Sequence, residues 1–172
     1  MQLILSESSE VLRVRKGAII VRHNIGIVLA NAGIDQSNVG EPGQNVALLL
    51  PVDPDASARR IRAALNERTG ANVGVLIIDS LGRAWRNGTI GTAIGVAGMP
   101  GLLDLRGRPD LHGRRLETTE LGFADEVAAA ASLMMGQADE GRPVVVVRGL
   151  ALARREGHAA DLIRPKHMDL FS

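Results

Sequence analysis

Two short stretches of the chain set a carboxylate beside small hydroxyl and amide residues just where an apolar run ends. In "ANAGIDQSNV", Asp35 precedes Ser37 and Asn38; in "VGVLIIDS", Asp79 precedes Ser80. A carboxylate at the mouth of a strand reaches solvent while its backbone stays fixed. Two of them brought together repel each other and call for a cation between them. Oxygen ligands of this kind suit Mg2+ or Mn2+, which keep several waters and share the remaining positions with phosphate oxygens. Arg83 and Arg86, just beyond the second motif, have the forked donors that hold a carboxylate or phosphate by paired hydrogen bonds. The same residues also have a plainer reading. Asp and Asn after a strand are common turn residues that bond their own backbone, and loop arginines are commonly solvated charges.

Composition narrows the alternatives. Twenty basic residues face nineteen acidic ones, a formal net charge of +1, so no basic excess marks a polyanion partner. With two Phe, one Trp and no Tyr, the chain lacks the stacking platforms used by single-stranded nucleic acid. The same shortage argues against a carbohydrate groove. The absence of cysteine removes disulfides, thiolate metal sites and a cysteine nucleophile together. The four histidines are dispersed, and no HExxH, GxSxG, GxxxxGK[ST] or dinucleotide-binding glycine fingerprint occurs. The apolar runs are far shorter than the roughly 20 residues that cross a bilayer, and "MQLILSESSE" carries no basic region ahead of its apolar residues. A soluble, cytoplasmic protein is expected.

The elements that must position these residues can be read from periodicity and punctuation. A short helix is expected within residues 2–12, and "AIIVRHNIGIVLA" reads as two strands of a hairpin turning at His23–Asn24. "VALLLPV" predicts an apolar strand. Asp53 as cap and Pro54 at the first helical position open a helix with Ala58, Ile61 and Leu65 on one face, and Gly70 ends it. "VGVLIID" predicts a buried strand closing on Asp79, with "SLGRAWRNG" as a polar loop. The glycines at 88, 91, 95, 98 and 101 read as close backbone packing or bulges in an irregular sheet. "LDLRGRPDLHGRR" is a charged surface loop. Phe123, Val127, Ala131 and Met134 mark a helix to about Met135, with Gly136 as its stop. "RPVVVVRG" predicts a buried strand, and the residues after Gly149 read as a peripheral tail. Strands and helices mix without strict alternation, which predicts an α+β fold, mixed sheets with packed helices, in a single domain over residues 1–172.

The motifs "ANAGIDQSNV", "LLPVDPDASARRIR", "IIDSLGRAWRNG", "AIGVAGMPGLLDLRG" and "MMGQADEGRPVVVVRG" resemble, in this order, the coenzyme F420-0:gamma-glutamyl ligases, over about Val11 to Val147. The resemblance implies an enzyme of coenzyme F420 biosynthesis that adds L-glutamate to a deazaflavin coenzyme precursor, using GTP and divalent metal through an acyl phosphate. It also implies an unusual α+β fold and a homodimer. Asp35 and Asp79 match metal-binding aspartates, and Asn38 matches a nucleotide-contacting asparagine. Ser80 keeps the hydroxyl of the threonine usual in the family. Gln137 falls in a stretch that looks like part of the nucleotide and metal site.

The chain departs from the family pattern in two places. The pattern begins with a further amino-terminal segment bearing a GTP contact and a lysine motif, which implies a fold truncated at the amino terminus, the carboxy-terminal two-thirds of a ligase. "TIGTAIG" also lacks the acidic character that often comes after "WRNG" in the family. A shortened chain of this kind is expected to associate through exposed apolar edges and to show weak or absent ligase activity. The alternatives are a non-catalytic relative that keeps a ligand site and a small metal-dependent phosphoesterase using the same aspartates.

Overall fold

The computed structural model of the chain describes residues 1–41, 43–150 and 155–169. A five-residue helix, α1 (Gln2–Ser6), leads into strand β1 (Ser8–Arg15). This pairs antiparallel with β2 (Ala18–His23), which pairs in turn with the three-residue β3 (Val28–Ala30). The β2–β3 hairpin is the one read from sequence. Its core is small: Ile19, Val21 and Ala32 are buried, with Ile4 and Ile34 packed against them.

Helix α2 (Pro54–Thr69) starts as its sequence demands. The Asp53 side chain accepts from the Ala56 N–H at 2.8 Å, Pro54 opens the first turn, and Gly70 closes the helix at φ 68 in the left-handed region that favours glycine. Of its predicted face, Ala58 is buried while Ile61 and Leu65 stay exposed. Strands β4 (Val75–Arg83) and β5 (Arg86–Ala97) then form a long antiparallel hairpin around Ala84 and Trp85. Two short paired strands, β6 (Leu103–Asp104) and β7 (Glu120–Leu121), bracket the charged loop, and helix α3 (Phe123–Met135) ends at Gly136 as expected. The α+β expectation therefore holds, with the strands divided among three small antiparallel sheets.

The main core lies where α2 and α3 pack on β5. Ala93, Val96, Met99, Ala124 and Ala128 are buried there, with Leu76, Ile78, Phe123 and Val127 against them. The spaced glycines permit this contact. A Cβ on Gly95 would lie 2.5 Å from the Pro54 carbonyl oxygen, and one on Gly91 would lie 2.5 Å from the Ser132 Cβ and 2.6 Å from the Ala128 carbonyl oxygen. Each helix also sends a first-turn carboxylate to the strand. Asp55 accepts the Val96 N–H at 2.7 Å and Asp125 the Ala93 N–H at 2.9 Å. Burial pushes the Asp125 carboxyl up, partly countered by that hydrogen bond. No helix among the described residues is long and apolar enough to cross a membrane.

Four expectations are corrected. "VALLLPV" forms only a single bridge, Leu48 to Asp35, and leaves Val52 97% exposed. "RPVVVVRG" forms no strand, with Val144 79% and Val146 75% exposed. An apolar run signals a need for burial, but a strand also needs a partner for its backbone groups, and neither segment has a full one among the described residues. β4 does not stop at Asp79 but continues through "SLGR", so the polar loop is really a hairpin arm and tip. The segment after Gly149 is not merely peripheral either, because Ala159 and Leu162 pack against the main core.

Because backbone atoms rather than a flexible side chain occupy the space beside Gly95, Gly95→Ala is expected to destabilise the chain by about 1–3 kcal/mol. Urea unfolding followed by circular dichroism reads this directly, and an unchanged midpoint would contradict the close packing.

Candidate functional site

Asp35 is held by an unusual loop. After β3 the chain passes through three successive left-handed residues, Asn31, Ala32 and Gly33, with φ of 51, 55 and 64. Only glycine adopts this region without strain, and the loop is secured by Asn31 Oδ1 accepting the Ile19 N–H at 2.9 Å and by the complete burial of Ala32. Asp35 then exchanges two backbone hydrogen bonds with Leu48, at 3.1 and 2.8 Å. Its side chain accepts at Oδ1 from the Ser37 N–H at 2.7 Å and from the Ser37 hydroxyl. These bonds, the hydroxyl first, hold the Asp35 carboxyl below its ordinary range. The turn reading of Asp35 is thus correct for one oxygen, and a carboxylate has a second to offer.

Asp79 lies half-buried in the middle of β4, opposite Thr92. Its Oδ1 accepts the Ser80 N–H at 2.8 Å. Burial pushes its carboxyl up, the Ser80 N–H opposes this, and the negative charge of Asp35 adds to the upward push. Two carboxylates far apart in sequence are therefore brought near enough for the charge of one to be felt by the other.

The loop after α3 joins them. Asn38 Nδ2 donates to the Ala138 carbonyl at 3.0 Å, and the Ser80 hydroxyl donates to Gln137 Oε1 at 2.5 Å. Gln137 Nε2 donates in turn to Ser132 Oγ at 2.8 Å. Glu140 steadies this loop by accepting the Ala138 N–H at 2.9 Å, which lowers its carboxyl pKa. All five expected residues, Asp35, Asn38, Asp79, Ser80 and Gln137, thus belong to one cluster.

Arg83 and Arg86 do not join it. They face each other at the hairpin tip, with Arg83 donating to the Asn87 carbonyl at 3.2 Å. The tip lies four residues beyond Asp79, on the order of 13 Å along the strand. Sequence reasoning missed Ser132, which is buried within α3. The available signal was a lone hydroxyl in the small-residue run "AAAAS" five positions before Gln137.

The donor set fits a hard divalent cation. Two carboxylates, a hydroxyl and an amide oxygen are all oxygen ligands. Among the described residues no three His, Cys, Asp or Glu side chains gather as a ready-made cage. The remaining positions of such an ion would be left to water or to phosphate oxygens, as is usual for Mg2+.

Comparison with known proteins decides the family. The model of the F420-0:Gamma-glutamyl ligase family matches residues 1–149. The chain belongs to that family. The match begins at residue 1, ten positions earlier than the motifs alone indicated. The chain is 48% identical over 172 residues to a Coenzyme F420:L-glutamate ligase of Methanothermobacter thermautotrophicus, covering 99% of this chain and 67% of that protein. It is 46% identical over 170 residues to one from Methanocaldococcus jannaschii, again covering 99% of this chain and 67% of that protein. A third, from Methanopyrus kandleri, is 47% identical over 174 residues, covering 99% of this chain and 68% of that protein. The chain therefore spans about two thirds of the length of these gamma-glutamyl ligases.

The raised pKa of Asp79 makes a signed prediction about stability. A carboxyl pushed up favours the fold in its protonated form. That contribution is complete below the ordinary Asp range and is lost as pH rises through the raised value. At neutral pH the ionised group therefore costs stability. Asp79→Asn is expected to raise Tm at pH 7 without divalent metal, with the difference shrinking as pH falls through the raised value and no longer changing below the ordinary Asp range. A scanning calorimetry series across pH checks both the sign and the window.

Proposed function

We propose that this chain carries the metal- and phosphate-binding part of a GTP-dependent ligase that adds L-glutamate to a deazaflavin coenzyme precursor. The observation that carries the reading is the pair of hydrogen bonds that tie the loop after α3 to both aspartate motifs, Ser80 to Gln137 and Asn38 to the Ala138 carbonyl, in a chain that the family model matches over residues 1–149.

In the reaction, an oxygen of the precursor's carboxylate attacks the γ-phosphorus of GTP. The bond to the β–γ bridging oxygen breaks and GDP departs with the electron pair. The glutamate amine then attacks the acyl carbon. The acyl–oxygen bond breaks, phosphate leaves, and the amine loses its proton as the amide forms. Asp35 and Asp79, with Ser80 Oγ and Gln137 Oε1, are the groups that would hold Mg2+ or Mn2+. When bound, such an ion cancels phosphate charge and orients the transferring group.

The protein's own task is placement. Asp35 and Asp79 present carboxylate oxygens from rigid backbone. Asn38 spends one amide hydrogen on the Ala138 carbonyl and has a second to give to the nucleotide. No side chain of the cluster is needed as a nucleophile, because the substrates supply both attacking atoms. Arg83 and Arg86 lie outside the phosphate site. Their exposed hairpin tip suits a long anionic substrate reaching away from it.

A homodimer is part of the same reading. The exposed apolar residues Val52, Val144 and Val146 support it, since monomers rarely leave such surface bare. Light scattering is expected to give twice the chain mass, and a stable monomer would remove this element.

Calorimetry with Mn2+ and GTP tests the site. The chain is expected to bind Mn2+, and GTP only when Mn2+ is present. Asp35→Asn and Asp79→Asn are each expected to abolish detectable Mn2+ binding while retaining the circular dichroism of the unsubstituted chain. Retained binding in both variants would end the reading.

A further inference from the structure

Ser132 lies outside every motif that pointed to the site, yet it holds the amide of Gln137 and packs against Gly91. It sits on the last turn of α3 and is buried. Its Oγ accepts from Gln137 Nε2 at 2.8 Å. A glutamine amide has one donating and one accepting end, so fixing the nitrogen end fixes the other. With Nε2 spent on Ser132, Oε1 must face the opposite way, and there it accepts from the Ser80 hydroxyl at 2.5 Å. That bond in turn consumes the Ser80 hydrogen. What Ser80 Oγ and Gln137 Oε1 then have left to present is lone pairs, the only form in which either can serve a cation.

The backbone makes room for this arrangement. Gly91 is the cross-strand partner of Ser80, and any Cβ there would collide with Ser132 at 2.5 Å. The missing side chain lets α3 descend onto the Ser80–Gly91 pair and bring Gln137, held by Ser132, within reach of the Ser80 hydroxyl.

We infer that Ser132 is a positioning residue for the metal-binding site: it sets the amide orientation of Gln137 and, through it, the hydroxyl orientation of Ser80. The inference rests on the divalent-metal reading of the cluster and adds to it a residue that touches no ligand itself. Without Ser132 the amide is free to turn over, and a turned amide aims two N–H hydrogens at the place where a cation should sit.

The test is Mn2+ titration of the full chain, read by the electron paramagnetic resonance of the free ion, with no substrate and no turnover. Four proteins are compared: the unsubstituted chain, Ser132→Ala, Gln137→Glu, and the double variant. Ser132→Ala is expected to weaken Mn2+ binding on the order of tenfold, as loss of a ligand's supporting hydrogen bond does elsewhere. In the Gln137→Glu background the two carboxylate oxygens are equivalent, so either orientation offers an oxygen. There Ser132→Ala is expected to change the affinity by less than about twofold.

A second readout needs no metal. The side-chain amide protons of Gln137 are expected to shift and to lose exchange protection in the nitrogen-15 spectrum of Ser132→Ala. If Ser132→Ala does not fold, Ser132→Cys keeps the volume with a weaker acceptor and is expected to give an intermediate loss in both readouts.

An equal loss of Mn2+ affinity with and without the Gln137→Glu substitution, or no loss in either background, would overturn the positioning role while leaving the metal reading intact. Failure of the unsubstituted chain to bind Mn2+ would overturn the metal reading and this inference with it.

Discussion

A negative charge held half-buried at Asp79, with the charge of Asp35 acting on it, raises the free energy of the folded chain, and the architecture around Asp35 and Asp79 is organised to sustain that cost. Asp79 cannot move away, because it is in the middle of a strand paired along its whole length. Asp35 cannot move away either, because three left-handed residues, a buried alanine and a backbone bridge fix its loop. The strain of that loop is tolerated because its surroundings over-determine it. Repulsion that cannot relax by motion remains available to an ion, and in the proposed reading this is how the site would be built in advance of its ligand.

The same rigidity explains the helices. α2 and α3 do more than fill the core. Each anchors β5 by a carboxylate in its first turn, and each reaches the strand backbone only because glycine stands at the point of contact. Close approach of α3 carries the loop after Gly136 across to the Asp35 loop, where Asn38 and the Ala138 carbonyl close the circuit. A core of alanines and glycines would be poor at burying area. Its merit here is short interaxial distance, which sets the position of Gln137 relative to Ser80.

Family membership and physical argument meet at this cluster without depending on each other. The likeness to gamma-glutamyl ligases extends over nearly the whole chain, including helices and loops far from the carboxylates. The coupling of Asp79 to Asp35, by contrast, comes from burial and charge alone. The exposed valines of residues 144–147 show that folding leaves apolar surface beyond what the two small cores absorb.

Local chemistry was legible in the sequence because it acts over a few residues. The Asp53–Pro54 start and Gly70 stop of α2, the Gly136 stop of α3 and the β2–β3 hairpin are each set by neighbours along the chain. The candidate carboxylates and amides could be named for the same reason, from residue type beside an apolar run. The sequence did not show where strands end or whether they find partners: β4 runs past Asp79, while "VALLLPV" and "RPVVVVRG" form no sheet. Strand identity depends on a hydrogen-bonding partner that can be anywhere in the chain or outside it. Only the tertiary structure carried Arg83 and Arg86 to a hairpin tip away from the cluster and set Gln137, with Ser132 behind it, against Ser80, because those placements depend on how β4 is paired and how α3 packs on β5.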